Sequence, residues 1–151
     1  VYKRQVGSNL RMSEVAASIG RIQLKRLDDW LVRRRAIAAR YHEAFASLEG
    51  VETPAIRPQT AHAWHQYCLL ADRPDALREA LDRAGIDSRV YYATPIHRQK
   101  VYETHGQFET ELAVTDDIAH RLVAIPVHHQ MTDEEVERVI DAVLASSRSL
   151  S

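Results

Sequence analysis

Ser13-Glu-Val-Ala-Ala-Ser-Ile-Gly20 opens a run that continues without a proline to Leu48. Along it, apolar residues recur at Val15, Ile19, Ile22, Leu27, Trp30, Leu31, Ile37, Tyr41, Phe45 and Leu48. Steps of mostly three and four residues place them on one stripe of an α-helix. Ser13 suits an N-cap, and Gly50 suits a C-terminal stop. The expectation is one long helix over 13–50, roughly 50 Å at about 1.5 Å per residue. A helix of that length is expected to bridge two bodies.

Beyond Gly50 the elements are shorter and alternate in type. Val51 to Ala61 contains Pro54 and Pro58 and reads as a connecting loop. Trp64 to Leu70, Ile86 to Tyr92 and Val123 to Val127 read as strands from their aromatic and β-branched content. Pro74 to Ala84 reads as a helix, with Pro74 in its first turn and Gly85 past its end. Ala93 to Gly106 reads as a loop with one helical turn after Pro95. Thr115 is expected to cap a short helix beginning Asp116-Asp117, where acids suit the positive end of the dipole. Thr132-Asp-Glu-Glu135 is a capping box, and Val136, Val139, Ile140 and Val143 form the stripe of the last helix. The polar tail from Ser146 is expected to fray. The fold class is therefore α+β: the long helix, then a sheet of three or four short strands with helices on one face.

At 151 residues the chain holds one cored domain and not two. A hydrophobic share of 45% with 27% charged residues argues against disorder. A formal net charge of -1 gives no bulk attraction to nucleic acid or acidic lipid. No apolar run is long enough to cross a bilayer, and no secretory leader pattern is present. Cys68 is the only cysteine, so no intrachain disulfide can form, and a reducing cytoplasm is the expected location. Val1-Tyr-Lys-Arg-Gln5 back-translates as GTG-TAT-AAG-AGA-CAG, which looks like a transposon-end sequencing adaptor. Residues 1–5 are expected to be such a scar and carry no fold information.

Three stretches bear on chemistry. In Gly7-Ser-Asn-Leu-Arg-Met12, Asn9 and Arg11 precede a helix start, where an amide, a guanidinium and free backbone N–H groups suit a phosphate. Tyr91-Tyr-Ala-Thr-Pro-Ile-His97-Arg-Gln99 follows an expected strand; its tyrosines suit strand packing or a ligand equally. Ala124-Ile-Pro-Val-His-His-Gln-Met-Thr-Asp-Glu-Glu135 joins a strand to a capped helix. Other groupings read as structural. His62, His65, His128 and His129 lack a zinc-ligand spacing, so no metal site is expected. Arg33-Arg34-Arg35 shares its helix with Asp28, Asp29 and Glu43 and reads as a solvated face. Cys68 is expected to pack in a strand.

Taken in order, these stretches resemble the DegT/DnrJ/EryC1/StrS family of sugar aminotransferases. The first matches its G-x-N-x-R-M motif, the second its H-Y-x-x-P-L-H-x-Q segment, and the third its closing L-P-x-x-x-x-L-T-x-E-E pattern. The resemblance covers Gly7 to about Ala145. It implies the small C-terminal domain of a fold-type-I enzyme that uses pyridoxal phosphate. It further implies that Asn9 reaches the cofactor phosphate of a partner subunit, that Arg11 supports that corner, and that the enzyme is a homodimer. His97 and Tyr92 are implied substrate contacts, His97 near the diphosphate of a sugar nucleotide, and Tyr91 and Arg98 join them. Tyr91 stands where the family has its first His, and Ala93 where Pro is common, which bears on the choice of sugar. The implied reaction moves an amino group from an amino acid, glutamate, to a keto sugar nucleotide or related cyclitol.

Such an enzyme holds its cofactor on a lysine. The lysines here are Lys3, Lys25 and Lys100, and none matches the family's position. The chain alone is therefore expected to be inactive and to supply no catalytic residue. The expected division is a remnant of a large-domain loop at 6–12, the interdomain helix at 13–50, the small domain at 51–146 and a tail at 147–151. Two alternatives are a sugar dehydratase of the same family, which uses the pyridoxamine form, and a stand-alone helical interaction module.

Overall fold

The protein is described by a computed structural model for residues 12–103 and 111–148. Asn9 and Arg11 lie outside the described residues.

The expected long helix is two. Helix α1 spans Glu14–Leu24 and α2 spans Leu27–Phe45, with the break at Lys25 and Arg26. Ser13 caps α1, its hydroxyl accepting from the Ala16 amide at 3.2 Å. The break has a local cause: the Arg26 amide bonds back to Gln23 O at 3.0 Å, tightening the last turn of α1 and ending its ladder. Gly50 does not stop the helix, which ends at Phe45. Instead, at φ 74°, it turns the chain into strand β1, Val51–Glu52, within the stretch expected to be loop. A Cβ there would sit 3.5 Å from the Asp72 carboxylate, but the left-handed φ alone favours glycine.

Strand β2, Tyr67–Ala71, is the centre of a three-stranded antiparallel sheet ordered β1-β2-β3, with β3 at Leu122–Ile125. Tyr67 pairs with Ile125 and Leu69 with Val123, so these four side chains share one face. Together with Ala71 they are buried in the core, whereas Cys68 and Leu70 on the other face are half-buried. The core is completed from α2 by Ile37, Tyr41 and Phe45, from α3 (Pro74–Arg83) by Leu77 and Leu81, and from α6 (Asp133–Arg148) by Val136, Val139 and Val143. The expected α+β class holds. The third expected strand does not. Ile86 to Tyr92 contributes a single bridge, Arg89 to Ala124, on the edge of β3 that β2 leaves open.

Both predicted ends of α3 are found. Pro74 begins it, and Gly85 at φ 69° closes it with Gly85 N to Asp82 O at 2.8 Å and Ile86 N to Leu81 O at 2.9 Å. That paired bonding is the Schellman arrangement, with Ile86 buried beyond it. The capping box is also present: Glu135 N donates to Thr132 Oγ1 at 3.2 Å, and Thr132 N to Glu135 Oε2 at 2.8 Å. Among the described residues the chain does not fray at Ser146. Helix α6 runs through Arg148, and Ser146 is buried with its hydroxyl donating to Val143 O at 2.6 Å.

Arg33, Arg34 and Arg35 are not a merely solvated face. Arg33 donates to Met131 O at 2.7 Å and pairs with Asp133 at 2.9 Å. Arg34 donates to Trp64 O at 2.6 Å, and Arg35 to His62 O at 3.3 Å. Each fastens α2 to a loop whose carbonyls have no partner in the sheet.

Candidate functional site

The segment after the Arg89 bridge carries the sequence-predicted substrate residues. Tyr92 is held at φ 61°, a left-handed conformation that an L side chain with a bulky ring adopts only at a cost of roughly 1–3 kcal/mol. The residue is 83% exposed, and the Tyr91 ring lies 6.5 Å from its ring, centroid to centroid. Tyr91 faces a cleft of about 370 Å³ lined also by Arg34, His65, Arg89 and His128. Strand packing does not account for Tyr92, which projects into solvent from a strained backbone.

Pro95 then starts a single 3₁₀ turn, Ile96–Arg98, closed by Arg98 N to Pro95 O at 2.9 Å. It leads into the short helix α4, Lys100–Glu103. The expected helical turn after Pro95 is thus present. Helix α5 spans Ala113–Arg121. It begins before Thr115, so Thr115 is inside it, and its N-cap Leu112 makes no side-chain cap bond.

The 3₁₀ turn and α5 meet at one carboxylate. Asp116 Oδ1 accepts from His97 Nε2 at 2.9 Å, while Asp116 Oδ2 accepts from Arg98 Nη2 at 2.7 Å and Oδ1 from Arg98 Nε at 3.3 Å. The His97 side chain is only 6% exposed and Arg98 is 57% exposed. A carboxylate has no proton to give, so His97 carries its proton on Nε2. The Arg98 hydrogen bond is the main force holding the Asp116 carboxyl below its ordinary range. Its stabilising contribution is therefore present above the usual aspartate range and is lost as pH falls through the lowered value. Arg98 is in turn held more firmly in its charged form, first by that hydrogen bond. Its charge is matched by Asp116 before any ligand arrives. With His97 neutral the trio carries no net charge, and with His97 protonated it carries one positive charge.

Other groups noted in the sequence are accounted for differently. His62 Nδ1 accepts from the Trp64 amide at 2.9 Å, and His129 stacks on Trp30 at 4.5 Å. Among the described residues no three His, Cys, Asp or Glu side chains gather as a metal site. Burial pushes the Cys68 thiol up, away from the thiolate a nucleophile needs. Among the described residues no helix is long and apolar enough to cross a membrane. Lys25 and Lys100 are both exposed, so neither offers the enclosed anchor pyridoxal phosphate would require, and the described residues fit that group only as outlying contacts. The sequence reading does not connect Asp116 with His97 and Arg98: its acidity is legible as a match to the helix dipole, but its reach back to the 3₁₀ turn leaves no mark in local spacing.

Comparison with known proteins gives a consistent result. The model of the DegT/DnrJ/EryC1/StrS aminotransferase family matches residues 1–144. A dTDP-3-amino-3,4,6-trideoxy-alpha-D-glucose transaminase from Streptomyces venezuelae is 35% identical over 137 residues, covering 91% of this chain and 36% of that one. A dTDP-3-amino-3,6-dideoxy-alpha-D-galactopyranose transaminase from Aneurinibacillus thermoaerophilus is 34% identical, with 91% and 37% covered. Among solved structures, S. venezuelae DesV in complex with a ketimine intermediate superposes with a TM-score of 0.87 at 33% identity, covering 95% of this chain and 39% of that one. The chain thus spans little more than a third of the length of the curated relatives it matches, 36% and 37% in these two.

Proposed function

Because the chain belongs to the DegT/DnrJ/EryC1/StrS aminotransferase family, we propose that it is the C-terminal part of a pyridoxal-phosphate enzyme acting on a sugar nucleotide. The enzyme takes an amino group from an amino acid, glutamate, and delivers it to a keto sugar nucleotide or related cyclitol. The observation that carries this reading is the family match over residues 1–144, in which all three motifs occur in order. The names of the relatives, both transaminases of dTDP-linked sugars, support the substrate class.

When bound, the cofactor supplies the carrier on which the amino group is parked between donor and acceptor. This chain's residues do the rest of its share by binding and orientation. Asn9 donates to the cofactor phosphate of the partner subunit, and Arg11 supports that corner with its charge. Tyr91, Tyr92, His97 and Arg98 line the sugar-nucleotide side. Helix α1 supports a subunit and domain role: it buries none of its residues, and Val15, Ile19 and Ile22 are all more than half exposed along one stripe. That stripe is where the large domain and the second subunit of a homodimer pack.

In the full-length enzyme, Asn9→Ala is expected to speed cofactor loss about tenfold, the worth of one hydrogen bond to a charged group. His97→Ala is expected to raise the sugar KM by a similar factor of about ten while leaving the glutamate half-reaction unchanged. Cofactor dissociation and the two half-reactions, measured separately, check both. An unchanged off-rate or an unchanged sugar KM removes that residue from the site.

A further inference from the structure

We propose that Asp116 is a positioning residue for the sugar-nucleotide side of the site, orienting His97 and Arg98 together through a single carboxylate. The inference rests on the reading that these two residues face the sugar nucleotide.

Consecutive side chains in a 3₁₀ turn diverge by roughly a third of a revolution. Left alone, the exposed Arg98 would sample other rotamers and the buried His97 ring would lose its Nε2 partner, so the two would not be presented as a pair. One group lying between them with two acceptor atoms removes that freedom. Asp116 has that placement: Oδ1 takes the imidazole at 2.9 Å and Oδ2 takes the guanidinium at 2.7 Å. Fixing the proton on His97 Nε2 also fixes the character of Nδ1. It is a hydrogen-bond acceptor toward a ligand hydroxyl while the ring is neutral and a donor toward a phosphate oxygen once the ring is charged. The Arg98 guanidinium, held at Nε and Nη2, keeps its remaining N–H donors for the solvent side, where more than half of the side chain is exposed.

The same contact is not needed to hold the fold. Helix α5 contributes no buried residue, and neither His97 nor Arg98 belongs to the core cluster. The helix is tied down at its other end by Arg121, which pairs with Glu52 at 2.6 Å and Asp72 at 2.9 Å across the sheet edge. The neighbouring Asp117 lies 3.7 Å from that same arginine. Two adjacent carboxylates thus have different tasks. Asp117 lies beside the structural arginine, and Asp116 organises the turn that carries the substrate residues.

The test uses the full-length enzyme with a panel of dTDP- and UDP-linked keto sugars, and measures the sugar and glutamate half-reactions separately. Asp116→Asn should raise the sugar KM about tenfold, with the glutamate half-reaction unchanged. Asp116→Glu should recover most of that loss, and Asp117→Asn should leave both half-reactions as they are. An unchanged sugar KM in Asp116→Asn overturns the inference. So does a parallel fall in both half-reactions, the mark of a merely structural contact. Should Asp116→Asn fail to fold, Arg98→Gln removes the exposed side of the same contact. It should raise the sugar KM alone, and an unchanged value overturns the inference equally. A wild-type enzyme that processes glutamate but none of the keto sugars defeats the functional reading itself and takes the inference with it. That outcome is distinguishable, because it shows before any variant is made.

Discussion

Tyr41→Ala is expected to cost the domain about 3–5 kcal/mol, a large part of the 5–15 kcal/mol that holds a typical domain together. Tyr41 is fully buried at the junction of α2 with the sheet. Its ring meets Tyr67 edge-on at 5.1 Å and stacks on Phe45 at 5.8 Å. Its hydroxyl donates to Pro126 O at 2.9 Å, and burial pushes that hydroxyl's pKa well up, so it stays protonated and remains a donor. Truncation opens a cavity among large rings and also leaves a loop carbonyl without its partner. Tyr41→Phe isolates the second effect and should cost about 1 kcal/mol. Denaturant unfolding of the two variants checks this. Equal losses would mean that the hydrogen bond, and not the ring, is the main contribution.

The second large effect is functional. Treated with pyridoxal phosphate and borohydride, this chain on its own is expected to show no saturable label at Lys25 or Lys100 and no amino transfer. A cofactor lysine works from an enclosed site that excludes water and holds the group against exchange. Lys25 sits at the exposed break after α1, and Lys100 begins the exposed helix α4. Any adduct there faces bulk water and returns to free cofactor. Peptide mapping after reduction reads the result directly. Saturable labelling of one of these lysines together with turnover would place the catalytic centre within this chain and contradict the proposed division of labour.

Much of the fold was legible because it rests on local chemistry. Pro74 and Gly85 bracket α3 as their backbone preferences require, Thr132 and Glu135 form their box, and the stripe of α6 is buried as spaced. The misreadings have two causes. The break at Lys25 and Arg26 follows from a local backbone bond that side-chain spacing does not show, whereas the short strand at Val51, the lost strand at Ile86 to Tyr92 and the arginine clamps of α2 depend on what lies across the chain. Periodicity cannot distinguish one helix from two successive ones when no proline or glycine marks the joint. The proposed site residues divide in the same way. Tyr91, Tyr92, His97 and Arg98 are expected from a contiguous motif. Asp116, eighteen residues beyond Arg98, is joined to it only by folding.

The most direct test of the whole account is a half-reaction on the full-length enzyme. The enzyme is first converted to its amino form with glutamate, then titrated with dTDP- and UDP-linked keto sugars while the cofactor spectrum is followed. The account predicts a return to the aldehyde form that is stoichiometric with one of these sugars, accompanied by release of the amino sugar nucleotide. A cofactor that glutamate converts but no keto sugar restores would contradict it.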